Sequence, residues 1–245
     1  MNNRKLYIVG IGPGGGSSMT GEAMQALTDS DCIVGYHVYT ELLQDEFPDK
    51  EYITTPMRQE IDRCRLALQQ ADAGRIVSLV CSGDAGVYGM SGLVWQLSTE
   101  YPQVEIQTVA GVTAALSGAA LLGAPLVHDF ALISLSDLLT PWEKIEKRLL
   151  LAAQADFVIV LYNPSSRKRA DYLKRACDLI LQFQSPDTVC GITEQIGREG
   201  EWTRVLSLQQ LREEQVNMFT TVFIGNSQTR VVNGKMVTPR GYELE

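Results

Sequence analysis

Residues 59–97 constrain the fold of this 245-residue chain more than any other stretch. Ile61, Cys64, Leu68 and Ala71 recur at helical spacing, and Gly74 closes that run as a left-handed cap would. Residues 76–80 form a short run, apolar but for Ser78 and too short for a helix, which reads as a buried strand. Residues 87–97 return to a helical period. Helix, buried strand, helix is the repeating unit of an α/β protein. The same alternation runs through the chain. Strands are expected at 6–11, 32–34, 104–109, 130–135, 157–161, 188–192, 221–224 and 229–232. Further helices are expected at 20–27, 113–121, from Pro141 onward, and at 168–183. Gly123-Ala124-Pro125 interrupts the pattern. The expected architecture is therefore two α/β domains, 1–125 and 126–245, with a ligand in the cleft between them.

Composition removes several function classes. A net charge of −8 argues against a nucleic-acid surface. It leaves room for an anionic small ligand held by a local basic pocket. Arg58, Arg63 and Arg65 form one such cluster, and Arg167, Lys168 and Arg169 another; solvated helix faces are the competing reading. Cys32, Cys64, Cys81, Cys177 and Cys190 form no C-x-x-C pair, and His37 and His128 are the only histidines, so no metal site is expected. Scattered cysteines with apolar flanks suit a reducing cytoplasm. No apolar run approaches the roughly 20 residues of a membrane span, and residues 1–5 do not resemble a signal peptide. The expectation is a cytoplasmic protein with neither membrane nor nucleic-acid partner.

Five strand-to-turn junctions carry the candidate chemistry. Gly10-x-Gly12-Pro13-Gly14 follows the first strand and resembles a dinucleotide turn. Pro13 removes a donor there, and no acidic residue ends the second strand, so a nicotinamide cofactor is disfavoured. The loop 81–90 follows the strongest strand, where α/β ligands usually sit, and Gly83 and Gly86 permit close approach to backbone. Asp84 reads equally well as a ligand contact and as a helix cap. The remaining junctions are Gly111-Val112-Thr113-Ala114, Tyr162-Asn163-Pro164 and Phe219-Thr220-Thr221.

Taken in order and spacing, these motifs resemble the tetrapyrrole methylases, the class III S-adenosylmethionine methyltransferases, over essentially the whole chain. Ser134-Leu135-Ser136-Asp137-Leu138-Leu139-Thr140-Pro141-Trp142 resembles the branch that methylates C17 and contracts the ring in the cobalamin pathway. The strings 162–169 and 238–242 point the same way. Many family members have Gly-Asp-Pro where this chain has Gly83-Asp84-Ala85, and the alanine resembles the cobalt-dependent, anaerobic-route enzymes.

The resemblance implies the tetrapyrrole methylase fold, a tetrapyrrole substrate such as cobalt-factor III or precorrin-3B, and a homodimer. S-adenosylmethionine would be held by Gly83, Asp84, Val87, Tyr88, Thr113, Ala114, Tyr162, Asn163, Gly191, Ile192, Thr220 and Thr221, and released as S-adenosylhomocysteine. Substrate contacts would come from Pro13, Arg58, Ser136 and Arg167, since arginine suits the many carboxylates of the macrocycle. Cobalt would arrive inside the macrocycle. Ring contraction moves protons, so an acid or base is expected. His128 is the candidate, with Asp137 and Ser136 nearby; a junction histidine bonded to backbone is the alternative. The rival functions are methylation of another corrin carbon, a diphthine synthase-like activity, or a nicotinamide-dependent oxidoreductase.

Overall fold

The computed structural model describes residues 4–166 and 170–243. Two compact units emerge, Met1–Ala114 and Ala115–Glu245. The first contains β1 (Lys5–Gly10), α1 (Gly21–Asp29), β2 (Cys32–Tyr36), α2 (His37–Glu41), β3 (Glu51–Thr55), α3 (Glu60–Asp72), β4 (Ile76–Cys81), α4 (Ser91–Leu97) and β5 (Glu105–Val109). Its sheet has the order β3-β2-β4-β1-β5 and every pairing is parallel. Parallel strands covered on both faces need apolar residues on both sides. Leu6, Ile8, Val77 and Leu79 face one core with α3, while Val9, Val80 and Val109 face a second with α1. All are fully buried, a contribution of about 1.5–3 kcal/mol each for the larger side chains. Because all five strands run the same way, Tyr36, Thr55, Cys81, Gly10 and Val109 finish on one edge.

The second unit holds α5 (Ala114–Leu122), β6 (Gly123–Ala124), β7 (Phe130–Ser134), α6 (Trp142–Gln154), β8 (Val158–Tyr162) and α7 (Tyr172–Ile180). It continues with β9 (Val189–Glu194), β10 (Trp202–Ser207), α8 (Leu208–Leu211), β11 (Thr220–Ile224), β12 (Arg230–Val232) and β13 (Lys235–Val237). Its main sheet has the order β10-β9-β11-β8-β7. β7 and β8 are parallel, and β11 runs against both β8 and β9. One face packs on α6, α7 and α8, the other on α5.

Several boundaries differ from the sequence reading for identifiable reasons. The division between units falls at Ala114, not after Pro125. α5 buries Ala115, Ala119 and Leu122 with Val160, Phe223 and Met236, and β6 pairs with β13. The helix expected from 87 starts at Ser91, because Tyr88 holds a left-handed φ of 55°. Pro141 is an extended N-cap with ψ 142°, one residue ahead of α6. The helix expected over 168–183 is seen at Tyr172–Ile180, and Arg167, Lys168 and Arg169 lie outside the described residues. β3 and β10 went unread because each lies at a sheet edge, is partly exposed and lacks a clean apolar period.

Candidate functional site

In the first unit the candidate residues follow the carboxyl ends of β1, β4 and β5. These three ends are stitched together. Gly12 and Gly83 exchange both backbone hydrogen bonds, at 3.0 and 2.7 Å. Asp84 Oδ1 accepts the N–H groups of Gly86 and Val87 at 2.8 and 3.0 Å, and Oδ2 accepts the Gly111 N–H at 2.9 Å. Both carboxylate oxygens thus accept backbone N–H groups, but Asp84 does not cap a helix: α4 starts at Ser91 with Met90 as its N-cap. Asp84 positions its loop against the β5 loop, and the exposed rim of that loop is made by Gly86, Tyr88 and Gly89.

The glycines at these ends pack protein on protein. A Cβ on Gly10 would lie 2.7 Å from the Gly111 nitrogen, and one on Gly111 would lie 2.2 Å from the Gly83 oxygen. A Cβ on Gly12, whose φ is +74°, would meet the Ser18 carbonyl at 2.6 Å. Gly10 and Gly12 thus make room for neighbouring backbone rather than for a ligand. Pro13 is buried within the same turn. Thr113 and Ala114 are half-buried at the start of α5, and Arg58 is exposed on the segment after β3 with a φ of 68°.

In the second unit, the sheet directions put the carboxyl ends of β7, β8 and β9 and the amino end of β11 on one edge. Tyr162 and Asn163 lie there. The Tyr162 hydroxyl accepts the Ala115 N–H at 2.7 Å, tying β8 to the first turn of α5. Asn163 is exposed, with a left-handed φ of 53°, and its Nδ2 donates to Ser134 Oγ at 3.0 Å. Left-handed non-glycine residues cost about 1–3 kcal/mol; Tyr88, Asn163 and Arg58 are among them, with Asp156, Gln195 and Asn233. Ser136 donates its N–H to Ser134 Oγ at 3.2 Å, and Asp137 Oδ2 accepts the Tyr172 hydroxyl at 2.7 Å. Trp142 closes the segment, its ring 4.5 Å from that of Tyr172 and 4.1 Å from the Arg175 guanidinium.

Other expected residues are placed differently. His128 precedes β7 whereas Ser136 and Asp137 follow it, so a strand of five residues, about 16 Å, separates them. His128 is on the opposite edge of this sheet, half-exposed, and its Nδ1 accepts the neighbouring Asp129 N–H at 2.9 Å. The structure does not bring the two together. Ile192 is wholly buried in the core, and the Cα face of Gly191 is filled by Leu122, 2.5 Å from a notional Cβ. Thr220 and Thr221 are buried at the right edge; the Thr220 hydroxyl bonds Glu194 Oε2 at 3.1 Å. Arg167 lies outside the described residues. Sequence reasoning missed Tyr172 and Glu194, whose roles depend on contacts 35 and 26 residues away.

An apolar concavity of about 410 Å³ on the outer face of α6, lined by Leu150, Leu151 and Phe183 among others, holds none of the candidates. Among the described residues no His, Cys, Asp and Glu cluster has the makings of a metal site. No helix there is long and apolar enough to cross a membrane. The five cysteines are buried, and burial pushes the Cys81 thiol up to about 11 and those of Cys64 and Cys177 up to about 12. None is a nucleophile at neutral pH.

Comparison with known proteins gives a consistent result. Residues 5–212 match the family of tetrapyrrole (corrin/porphyrin) methylases. A probable cobalt-factor III C(17)-methyltransferase of Salmonella typhimurium is 48% identical over 240 residues, 98% of this chain and 100% of that protein. A precorrin-3B C(17)-methyltransferase of a Sinorhizobium species is 39% identical over 97% of this chain and 96% of its own length. The crystal structure of the methyltransferase CobJ superposes with a TM-score of 0.90 at 34% identity, over 96% of this chain and 99% of that one.

Proposed function

Because the chain belongs to the tetrapyrrole (corrin/porphyrin) methylases, we propose that it transfers the methyl group of S-adenosylmethionine to C17 of cobalt-factor III and contracts the macrocycle in the same turnover. The observation that carries this reading is the end-to-end similarity to the Salmonella relative. Cobalt-factor III is preferred to metal-free precorrin-3B because identity to the relative named for the former is higher, 48% against 39%. Ala85 agrees with that choice.

The residues present suit the cofactor. Its hydroxyl, ammonium and carboxylate groups need backbone amides and carbonyls at close range. The exposed turn Gly86, Tyr88 and Gly89, the half-buried Val87, Thr113, Ala114 and Tyr162, and the exposed Asn163 amide offer them. Gly83 and Asp84 shape the turn from beneath. Thr220 and Thr221 line the same edge of their own sheet as Asn163, while Gly191 and Ile192 act through the core. When bound, S-adenosylmethionine supplies a methyl on a sulfonium, already activated for in-line displacement. The chain's own contribution is orientation, exclusion of water and proton handling. Asp137, held by Tyr172 on the segment that follows β7, is the proton acceptor or donor for ring contraction. His128, on the far edge of its sheet, is not. Arg58 receives a macrocycle carboxylate. The enzyme works as a cytoplasmic homodimer.

The test is incubation of the purified protein with S-adenosylmethionine and either cobalt-factor III or precorrin-3B, followed by mass spectrometry. One added methyl on the cobalt substrate is expected, with slower turnover of the metal-free one. No methylation of either, beside S-adenosylhomocysteine binding by calorimetry, would mean a methyltransferase of different substrate. Neither methylation nor binding would overturn the proposal altogether.

A further inference from the structure

Arg63 is buried, 3% exposed, in the first turn of α3, and among the described residues no carboxylate forms an ion pair with it. A guanidinium taken from water without a counter-charge is costly unless its donors are satisfied. Here they are satisfied by two separate segments, 55–56 and the loop that ends at Met90. Nε donates to Thr55 Oγ1 at 2.7 Å, Nη2 to the Pro56 carbonyl at 2.8 Å, and Nη1 to Met90 Sδ at 3.5 Å. The guanidinium also lies 5.8 Å from the Tyr36 ring centroid, within cation–π reach. Tyr36 ends β2, Thr55 ends β3, and Met90 closes the loop that follows β4. One side chain therefore joins three neighbouring strand ends on the edge that carries the candidate site.

These connections are unequal. The loop after β4 is independently fixed by Asp84 and by the Gly12–Gly83 pair, and its bond to Arg63 is a long one to sulfur. The segment after β3 is different. Pro56, Met57 and Arg58 are exposed, and Arg58 sits at a φ of 68°. Arg63 supplies two short hydrogen bonds to the two residues that lead into it. A planar fork is required for this; a lysine ammonium would not span Thr55, Pro56 and Met90 in one geometry.

We propose that Arg63 is a positioning residue for the macrocycle: it holds the 55–58 segment so that Arg58 presents its guanidinium to a substrate carboxylate. This rests on the reading of Arg58 given above. Arg63 does not itself bind the carboxylate, since its donors point into protein and almost none of it reaches solvent.

The test is steady-state kinetics of the whole enzyme with cobalt-factor III, for Arg58→Ala, Arg63→Met, Arg63→Lys, Thr55→Val and the Arg58→Ala/Arg63→Met double variant. Arg63→Met is expected to raise the macrocycle KM about tenfold, with kcat and S-adenosylhomocysteine affinity changed less than about twofold. Thr55→Val, which leaves the guanidinium in place, raises KM less, and Arg63→Lys rescues little. Because Arg63 acts through Arg58, the double variant should resemble Arg58→Ala alone. If Arg58→Ala leaves KM unchanged, the reading of Arg58 fails, and with it the basis of the proposal. If Arg58→Ala raises KM but Arg63→Met and Thr55→Val do not, positioning by Arg63 is overturned. Additive effects in the double variant, or a loss shared equally by KM, inhibitor affinity and melting temperature, would overturn it too.

Discussion

Asp84 shows how a single carboxylate organises two loops through backbone hydrogen bonds. Its two oxygens accept three backbone N–H groups from two loops. Charge-assisted bonds of this kind contribute about 1.5–3 kcal/mol each when measured singly, with overlap between them. Asp84→Ala should lower the melting temperature and weaken S-adenosylhomocysteine binding together, by calorimetry, at least tenfold. Asp84→Asn keeps one acceptor and should fall between. Unchanged affinity in Asp84→Ala would show that the loop holds its shape by other means. Gly111→Ala probes the same junction sterically. A Cβ 2.2 Å from the Gly83 oxygen cannot be relieved by turning a side chain, so a loss of about 1–3 kcal/mol in urea unfolding is expected. From sequence, Asp84 was evenly divided between cap and contact. The bond to Gly111, 27 residues away, was not legible there, because it depends on β4 and β5 both flanking β1.

At the scale of elements, the segment 134–142 joins the end of β7 to α6 and is pinned at three places: Ser134 to Asn163, Asp137 to Tyr172, and Trp142 against Tyr172 and Arg175. Tyr172→Phe removes one hydroxyl and keeps the ring stack. It should lower kcat for ring contraction several-fold while S-adenosylhomocysteine affinity stays within about twofold; full activity would remove Asp137 from the chemistry. The strand β7 also corrects the sequence reading. His128 and Asp137 are nine positions apart in a line, which looks close, but an extended strand between them sends them to opposite edges. Period and composition identified the buried strands β4, β8 and β11 well, because a short, mostly apolar run has few other homes. Edge strands β3 and β10, half exposed, left no comparable trace.

Over the whole molecule, two apolar cores lie in each unit, and the five cysteines are buried. α5 carries the small-residue face that the second unit needs. A Cβ on Gly118 would lie 2.7 Å from Thr193 Oγ1 and 2.9 Å from the Phe223 ring. Gly118→Val should therefore cost about 1–3 kcal/mol and expose the second unit to proteolysis. The thiols predict an alkaline limit. Burial raises Cys81 to about 11 and Cys64 and Cys177 to about 12, against an ordinary value near 9. The folded state holds these protons more tightly than the unfolded chain. Their contribution is intact below pH 9 and is lost as pH rises from 9 through 11 to 12. Urea midpoints should fall over that window, and at pH 8 a thiol reagent should label none of the three until the protein unfolds.

The central claim is the position of the transferred methyl. The enzyme should be given cobalt-factor III with S-adenosylmethionine labelled with ¹³C in its methyl group, and the product read by carbon NMR and mass spectrometry. The expected result is one labelled methyl at C17 of a ring-contracted macrocycle. A label at any other carbon, or at C17 of an uncontracted ring, would contradict it.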